Sequence, residues 1–120
     1  MTEPNRFQKL VADAKQRITE ISPAETRAQV DDGRAILFDV REASEWQSGH
    51  AVGARHASRG TIEIGIEKQV PNLDQPIICH CGSGGRSALV ADSLQKMGYT
   101  NVKSMAGGME AWKEAGLPTM

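Results

Sequence analysis

Seven residues, Cys81-Gly82-Ser83-Gly84-Gly85-Arg86-Ser87, constrain this chain more than any other stretch. They follow the apolar run Pro76-Ile77-Ile78-Cys79 and precede Ala88-Leu89-Val90-Ala91-Asp92-Ser93-Leu94. The order reads strand, tight loop, helix, with a cysteine opening the loop. Three of the four residues between Cys81 and Arg86 are glycine, which lets the backbone take positive φ and turn successive N–H groups toward one point beside the sulfur. The first turn of the helix adds unpaired donors and the positive end of its dipole, and Arg86 adds a permanent cation. All three favour thiolate over thiol. A buried, inert cysteine with glycines that merely serve the turn is the alternative. The coincidence of loop, arginine and helix start favours a nucleophilic cysteine in an anion-binding cradle. It is not a P-loop, because the G-x-x-x-x-G-K-[ST] order and its lysine are missing.

The rest of the chain supplies a frame for that loop. Phe7, Leu10, Val11, Ala14 and Ile18 recur at helical spacing, which predicts an amphipathic helix over residues 5–17. Residues 18–21 suit a short strand, and Ser22-Pro23-Ala24-Glu25 is a helix start, with Ser22 as cap, Pro23 first and Glu25 closing a capping box. Residues 35–40 read as a strand covered on both faces, residues 42–48 as a short helix stopped by Gly49, and residues 54–57 as another strand. A turn at Arg59-Gly60 leads to a short helix near Ile62, although the pattern through Val70 is indistinct. Strand 77–79, helix 87–97, strand 101–105 and helix 108–115 complete the series. Alternating strands and helices predict an α/β fold, a central mostly parallel sheet with helices on both faces.

Four motifs in fixed order carry a family resemblance: Asp39-Val40-Arg41-Glu42 with Glu45-Trp46; Gly49-His50-Ala51-Val52-Gly53-Ala54; Cys81 to Ser87; and Ala106-Gly107-Gly108-Met109-Glu110-Ala111-Trp112. Together they resemble a single-domain rhodanese over about residues 18–120, with residues 1–17 as an amino-terminal helical extension. The second motif departs from the usual pattern, with Ala51 and Val52 where isoleucine and proline are common. The resemblance implies a sulfurtransferase that moves sulfane sulfur through a persulfide on Cys81, with the loop Gly82, Ser83, Gly84, Gly85, Arg86 and Ser87 holding the charged outer sulfur. Related phosphatases have one more residue between cysteine and arginine, a wider cradle for phosphate or arsenate. The family implies no metal or organic cofactor.

Other polar residues have two readings each. Ligands gather beyond the carboxyl ends of parallel strands, so Arg41 and Arg59 are candidate substrate-side cations. Equally, Arg41 can pair with Glu42 or Glu45, and Arg59 can be solvated surface. Asp39 is expected to accept loop N–H groups, and Ser87 to donate to an anion or cap the helix. His50 is expected to maintain its turn; His56 and His80 have no evident partner. Cys79-His80-Cys81 lacks the second cluster that zinc needs, and Trp112 is expected in the core.

Composition narrows the class. Fourteen Lys and Arg against fifteen Asp and Glu, net charge −1, with no basic block, leave no footprint for nucleic acid. No run has signal-peptide or membrane-span character, so a soluble, cytoplasmic protein is expected. Two cysteines make no disulfide framework. Cys79 and Cys81 are expected to start toward opposite faces of the strand end and not to pair. The expected partners are a small sulfur donor such as thiosulfate and an acceptor: cyanide in vitro, a thiol or protein in the cell. Rivals are a non-catalytic binding or redox-sensing module, and a phosphatase or arsenate reductase.

Overall fold

The computed structural model describes residues 3–120. Its elements run α1 (Arg6–Lys15), β1 (Thr19–Ile21), α2 (Pro23–Asp31), β2 (Ile36–Asp39), α3 (Ala43–Gln47), β3 (Ala54–His56), α4 (Ile62–Gln69), β4 (Ile77–His80), α5 (Gly85–Lys96), β5 (Val102–Met105) and α6 (Gly108–Glu114). The five strands form one parallel sheet in the order β1-β5-β4-β2-β3.

Local chemistry sets the boundaries. The Ser22–Glu25 capping box starts α2 with Pro23 in its first turn, as expected, and Asn5 and Gln8 make the same device for α1. α5 begins two residues before the predicted start because Gly84, at φ 108°, serves as its cap. Ser87 therefore lies inside the first turn and does not cap. α4 is longer than its sequence suggested. Ile62 and Ile66, four residues apart, are both buried, and that pairing sustains the helix through Gln69.

Two apolar layers sandwich the sheet. On one face Phe38, Val40, Cys79, Cys81 and Val102 pack against Ile62 and Ile66 of α4 and Val90, Ala91 and Leu94 of α5. On the other Leu37, Ile78 and Met105 pack against Met109 and Trp112 of α6. Cys79 and Cys81 thus share a face, contrary to expectation, because residues two apart in extended chain point the same way. Both are free thiols. Among the described residues, no helix is long and apolar enough to cross a membrane.

The strand order places the site. β3 adds to one side of β2, after which the chain crosses back and β4 pairs on the other side. The crevice between the carboxyl ends of β2 and β4 is the switch point where open parallel sheets bind ligands.

Candidate functional site

β4 is the middle strand of the sheet and delivers Cys81 to this crevice. The Cys81 thiol is 1% exposed, and Sγ accepts the Gly84 N–H at 3.1 Å. Ser87 Oγ lies 3.6 Å from Sγ and 2.8 Å from Ser104 Oγ on β5. The single Ser87 hydroxyl proton has two acceptors in reach, the sulfur and the Gly84 carbonyl at 3.4 Å, and ionised sulfur is the stronger of them. Burial is the largest influence on the Cys81 pKa and pushes it up. The Ser87 hydroxyl and the N–H groups of Ser87, Gly84 and Ser83 outweigh it and leave the thiol below its ordinary value. Cys79 sits one pleat behind without such donors, and burial pushes it up to about 12.

The loop departs from the expected geometry in one respect. Of its three glycines only Gly84 takes positive φ; Gly82 and Gly85 do not. The curl is imposed from outside by the start of α6. Met109 N–H donates to the Cys81 carbonyl at 2.7 Å and Glu110 N–H to the Gly82 carbonyl at 3.1 Å. Both loop carbonyls are drawn away from the sulfur. This approach requires Gly107 and Gly108, at φ 76° and 55°. A Cβ on Gly108 would collide with the Cys81 carbonyl oxygen.

Arg86 is not a free cation. Its guanidinium makes a two-pronged pair with Glu45 of α3, Nη1 to Oε1 at 2.7 Å and Nη2 to Oε2 at 3.0 Å. The pair holds the Glu45 carboxyl at about 2, well below its usual range. It also lays Nη2 along Gly82, 3.2 Å from where a Cβ would stand. The cation therefore braces the loop edge, and the nearer support for a thiolate comes from hydroxyl and backbone donors.

Arg41 pairs with neither Glu42 nor Glu45. Its backbone N–H and its guanidinium donate to Asp39 at 2.8–3.1 Å, and Nη2 also donates to the Gly49 carbonyl at 2.8 Å. Asp39 accepts loop N–H as expected, and this buried cluster closes the tip of β2. His80, opposite Asp39 in the sheet register, donates Nδ1–H to the Cys81 carbonyl at 3.2 Å and holds Nε2 3.7 Å from Asp39 Oδ2. His56 also has a partner, the Arg41 carbonyl at 2.8 Å. His50 donates to the Trp46 carbonyl and stacks on its ring at 3.6 Å, which holds the turn.

Arg59 is exposed, with no salt bridge among the described residues. It lines an open groove of about 640 Å³ between α1, α5 and the residues after β3, together with Glu42, Glu63 and Arg86. Of the loop only Arg86 reaches this groove, so Arg59 and Cys81 do not share a pocket. Among the described residues no three His, Cys, Asp or Glu side chains are grouped as a metal ion would require.

Glu45, Ser104, Gly108 and His80 belong to the site's frame but were not legible as such. Glu45 and Ser104 are 41 and 17 residues from their partners Arg86 and Ser87. The Gly107-Gly108 pair was the available signal, since adjacent glycines before a helix often mark a close backbone approach.

Residues 22–115 match the family described as Rhodanese-like domain. The thiosulfate sulfurtransferase GlpE of Actinobacillus succinogenes is 36% identical over 100 residues, covering 83% of this chain and 88% of that protein. Its counterpart from Haemophilus influenzae is 36% identical over 99 residues, covering 82% and 91%. Among solved structures, a Rhodopseudomonas palustris protein of unknown function, described as a possible tyrosine phosphatase, superposes with a TM-score of 0.84 at 28% identity, covering 100% of this chain and 98% of that one. The polysulfide-sulfur transferase homodimer of Wolinella succinogenes gives 0.81 at 28% identity, covering 95% and 86%. Fold, loop and relatives agree: the chain belongs to the rhodanese-like domain family and is related to its thiosulfate sulfurtransferases.

Proposed function

We propose that the protein is a sulfurtransferase acting through a Cys81 persulfide. The observation that carries this reading is the buried Cys81 sulfur, which receives a backbone N–H from Gly84 and stands beside the Ser87 hydroxyl. In the first half-reaction the Cys81 thiolate attacks the outer sulfur of thiosulfate. A Cys81 S–S bond forms, the donor's S–S bond breaks, and sulfite leaves with the bonding pair. The outer persulfide sulfur keeps its negative charge and rests among the inward N–H groups of Gly84 and its neighbours. In the second half-reaction an acceptor attacks that sulfur and the Cys81 thiolate departs: cyanide becomes thiocyanate, and a thiolate becomes a persulfide. No proton has to move if the thiolate is already formed, so no general base is needed.

Cys81 is the catalytic residue in this scheme, with Gly82, Ser83, Gly84, Gly85 and Ser87 as the persulfide cradle. Arg86 holds the cradle edge through Glu45, and Arg59, in the groove that Arg86 also lines, attracts an anionic donor only at long range. Arg41 has a structural part. Residues 18–120 act as the catalytic domain, in the reducing cytoplasm where both thiols persist.

Intact-protein mass spectrometry after mixing with thiosulfate tests the reading. Native protein is expected to gain one sulfur atom and lose it to cyanide, and Cys81→Ser to gain none. No gain in folded native protein, from thiosulfate or from a protein persulfide, would sink it. The resemblance to a possible tyrosine phosphatase warrants a second reading, hydrolysis of an aryl phosphate by the same cysteine. Four residues between Cys81 and Arg86, and a guanidinium paired with Glu45, count against it. Assays with an aryl phosphate and with arsenate separate the two.

A further inference from the structure

Gly84 needs glycine for its backbone, but Gly85 does not, because only Gly84 of the two occupies the left-handed region. A side chain at position 85 would instead meet another element. A Cβ there would lie 3.3 Å from Cε2 and 3.6 Å from Cζ of Phe7, and 3.5 Å from Cγ2 of Val11. α1 therefore rests directly on the cradle loop, one residue beyond the N–H that reaches the Cys81 sulfur. Its seat is fixed from both ends. Arg17 makes a two-pronged pair with Asp92 of α5 at 2.9 and 2.8 Å, and Gln95 donates to the Arg17 carbonyl at 2.9 Å. The Asn5–Gln8 capping box orders the first turn, which carries Phe7. None of α1 falls within residues 22–115, the part that matches the family.

We propose that Phe7 is a positioning residue of the Cys81 site: its ring, seated on Gly85, holds the loop in the conformation that aims the Gly84 N–H at the sulfur. The proposal rests on Cys81 being the reactive nucleophile. Glycine-rich loop backbone has the most freedom to lose. A ring packed against it removes competing conformations, whereas a gap there lets the N–H swing away from sulfur. Phe7 is 44% exposed, so its truncation removes little core. The amino-terminal helix is thereby a working part of the site and more than an appendage.

The test is the pH dependence of Cys81 alkylation by iodoacetamide, mapped by peptide mass, alongside thermal unfolding. Phe7→Ala is expected to shift the profile to higher pH and slow alkylation at neutral pH about threefold or more. Leu10→Ala, on the same helix and 52% exposed, leaves the profile in place. Gly85→Ala is expected to change the profile in the native background and not in Phe7→Ala, because its methyl group competes with the ring for one space. Should Phe7→Ala not fold, Phe7→Leu keeps apolar volume but falls short of Gly85, with the same expectation. A folded Phe7 variant with the native profile overturns the proposal, as does a Gly85→Ala effect that is equal with and without the ring. Alkylation reads the thiolate alone. A chain that responds as expected but accepts sulfur from no donor would therefore overturn the sulfur-transfer reading and leave this one standing.

Discussion

The tips of β2 and β4 are neighbours in register, Asp39 beside His80, yet the chain finishes them in opposite ways. After β2, Arg41 turns back on Asp39, and its Nη2 also donates to the Gly49 carbonyl. The guanidinium charge is met by a carboxylate two residues away, and the tip is a buried plug. After β4, α6 takes up the loop carbonyls while the N–H of Gly84 turns inward, with a sulfur as its acceptor. A site for chemistry needs donors that converge on a reactive atom rather than on a structural carboxylate. At the β4 tip they meet a sulfur, and at the β2 tip they meet Asp39. The two cysteines repeat the lesson within one strand. Cys79 lacks donors and is held as a thiol, whereas Cys81 has them and ionises more readily than an ordinary thiol.

Substitutions at the two tips should therefore separate chemistry from stability. Cys81→Ser is expected to abolish sulfur loading by mass spectrometry while the urea midpoint stays near native. Asp39→Asn should do the reverse. It leaves Arg41 buried against a neutral partner and costs about 3–5 kcal/mol in urea unfolding, with loading retained in whatever remains folded. If the two variants fail in the same assay, the contrast between the tips is wrong. Gly108→Ala should cross the boundary, because its methyl group meets the Cys81 carbonyl at a positive φ. A loss of about 1–3 kcal/mol together with slower loading is expected.

Ser87→Ala sharpens the contrast at the sulfur. The hydroxyl favours the thiolate, so its loss raises the thiol's pKa and moves the rise of the alkylation profile to higher pH. The rate at neutral pH should fall about tenfold, the worth of one hydrogen bond to a charged group. Glu45→Gln should have the smallest effect. The pair with Arg86 is about a third exposed, so stability at neutral pH should fall by less than about 1 kcal/mol. Its pH dependence has a definite sign. A carboxyl depressed to about 2 stabilises the fold above its ordinary range, and that contribution is lost as pH falls toward about 2. Acid titration of the urea midpoint should show this loss in native protein and a smaller one in Glu45→Gln.

Much of the architecture was legible because its signals are short-range. The Ser22-to-Glu25 box, the buried runs of β2 and β4 and the glycines closing α3 and α5 each act within one turn or strand. The location of the cradle was equally local, since strand, glycine loop and helix are consecutive. Three expectations failed where partners are distant or side-chain direction decides. For Arg86 the sequence suggests a substrate-side cation or a brace on loop carbonyls, yet its partner is the carboxylate of Glu45, 41 residues away. Arg41 was paired with the wrong carboxylates, because Asp39 sits at the end of its own strand rather than on the following helix. The cysteines were assigned to opposite faces, although the period of a strand puts them on one.

By itself, then, the sequence determined an alternating α/β chain with a cysteine at the mouth of a glycine-rich turn, because propensity, capping and turn chemistry are properties of adjacent residues. Only the tertiary structure decided what surrounds that cysteine. The order β1-β5-β4-β2-β3 brings Ser104 from β5 to Ser87 and the start of α6 to the loop carbonyls. Packing against the sheet brings α3 to Arg86 and α1 to Gly85. A hydrogen bond acts over a few ångströms of space whatever the separation along the chain: the donors that make Cys81 acidic come from its own loop, while the groups that hold that loop in place meet only once the sheet has assembled.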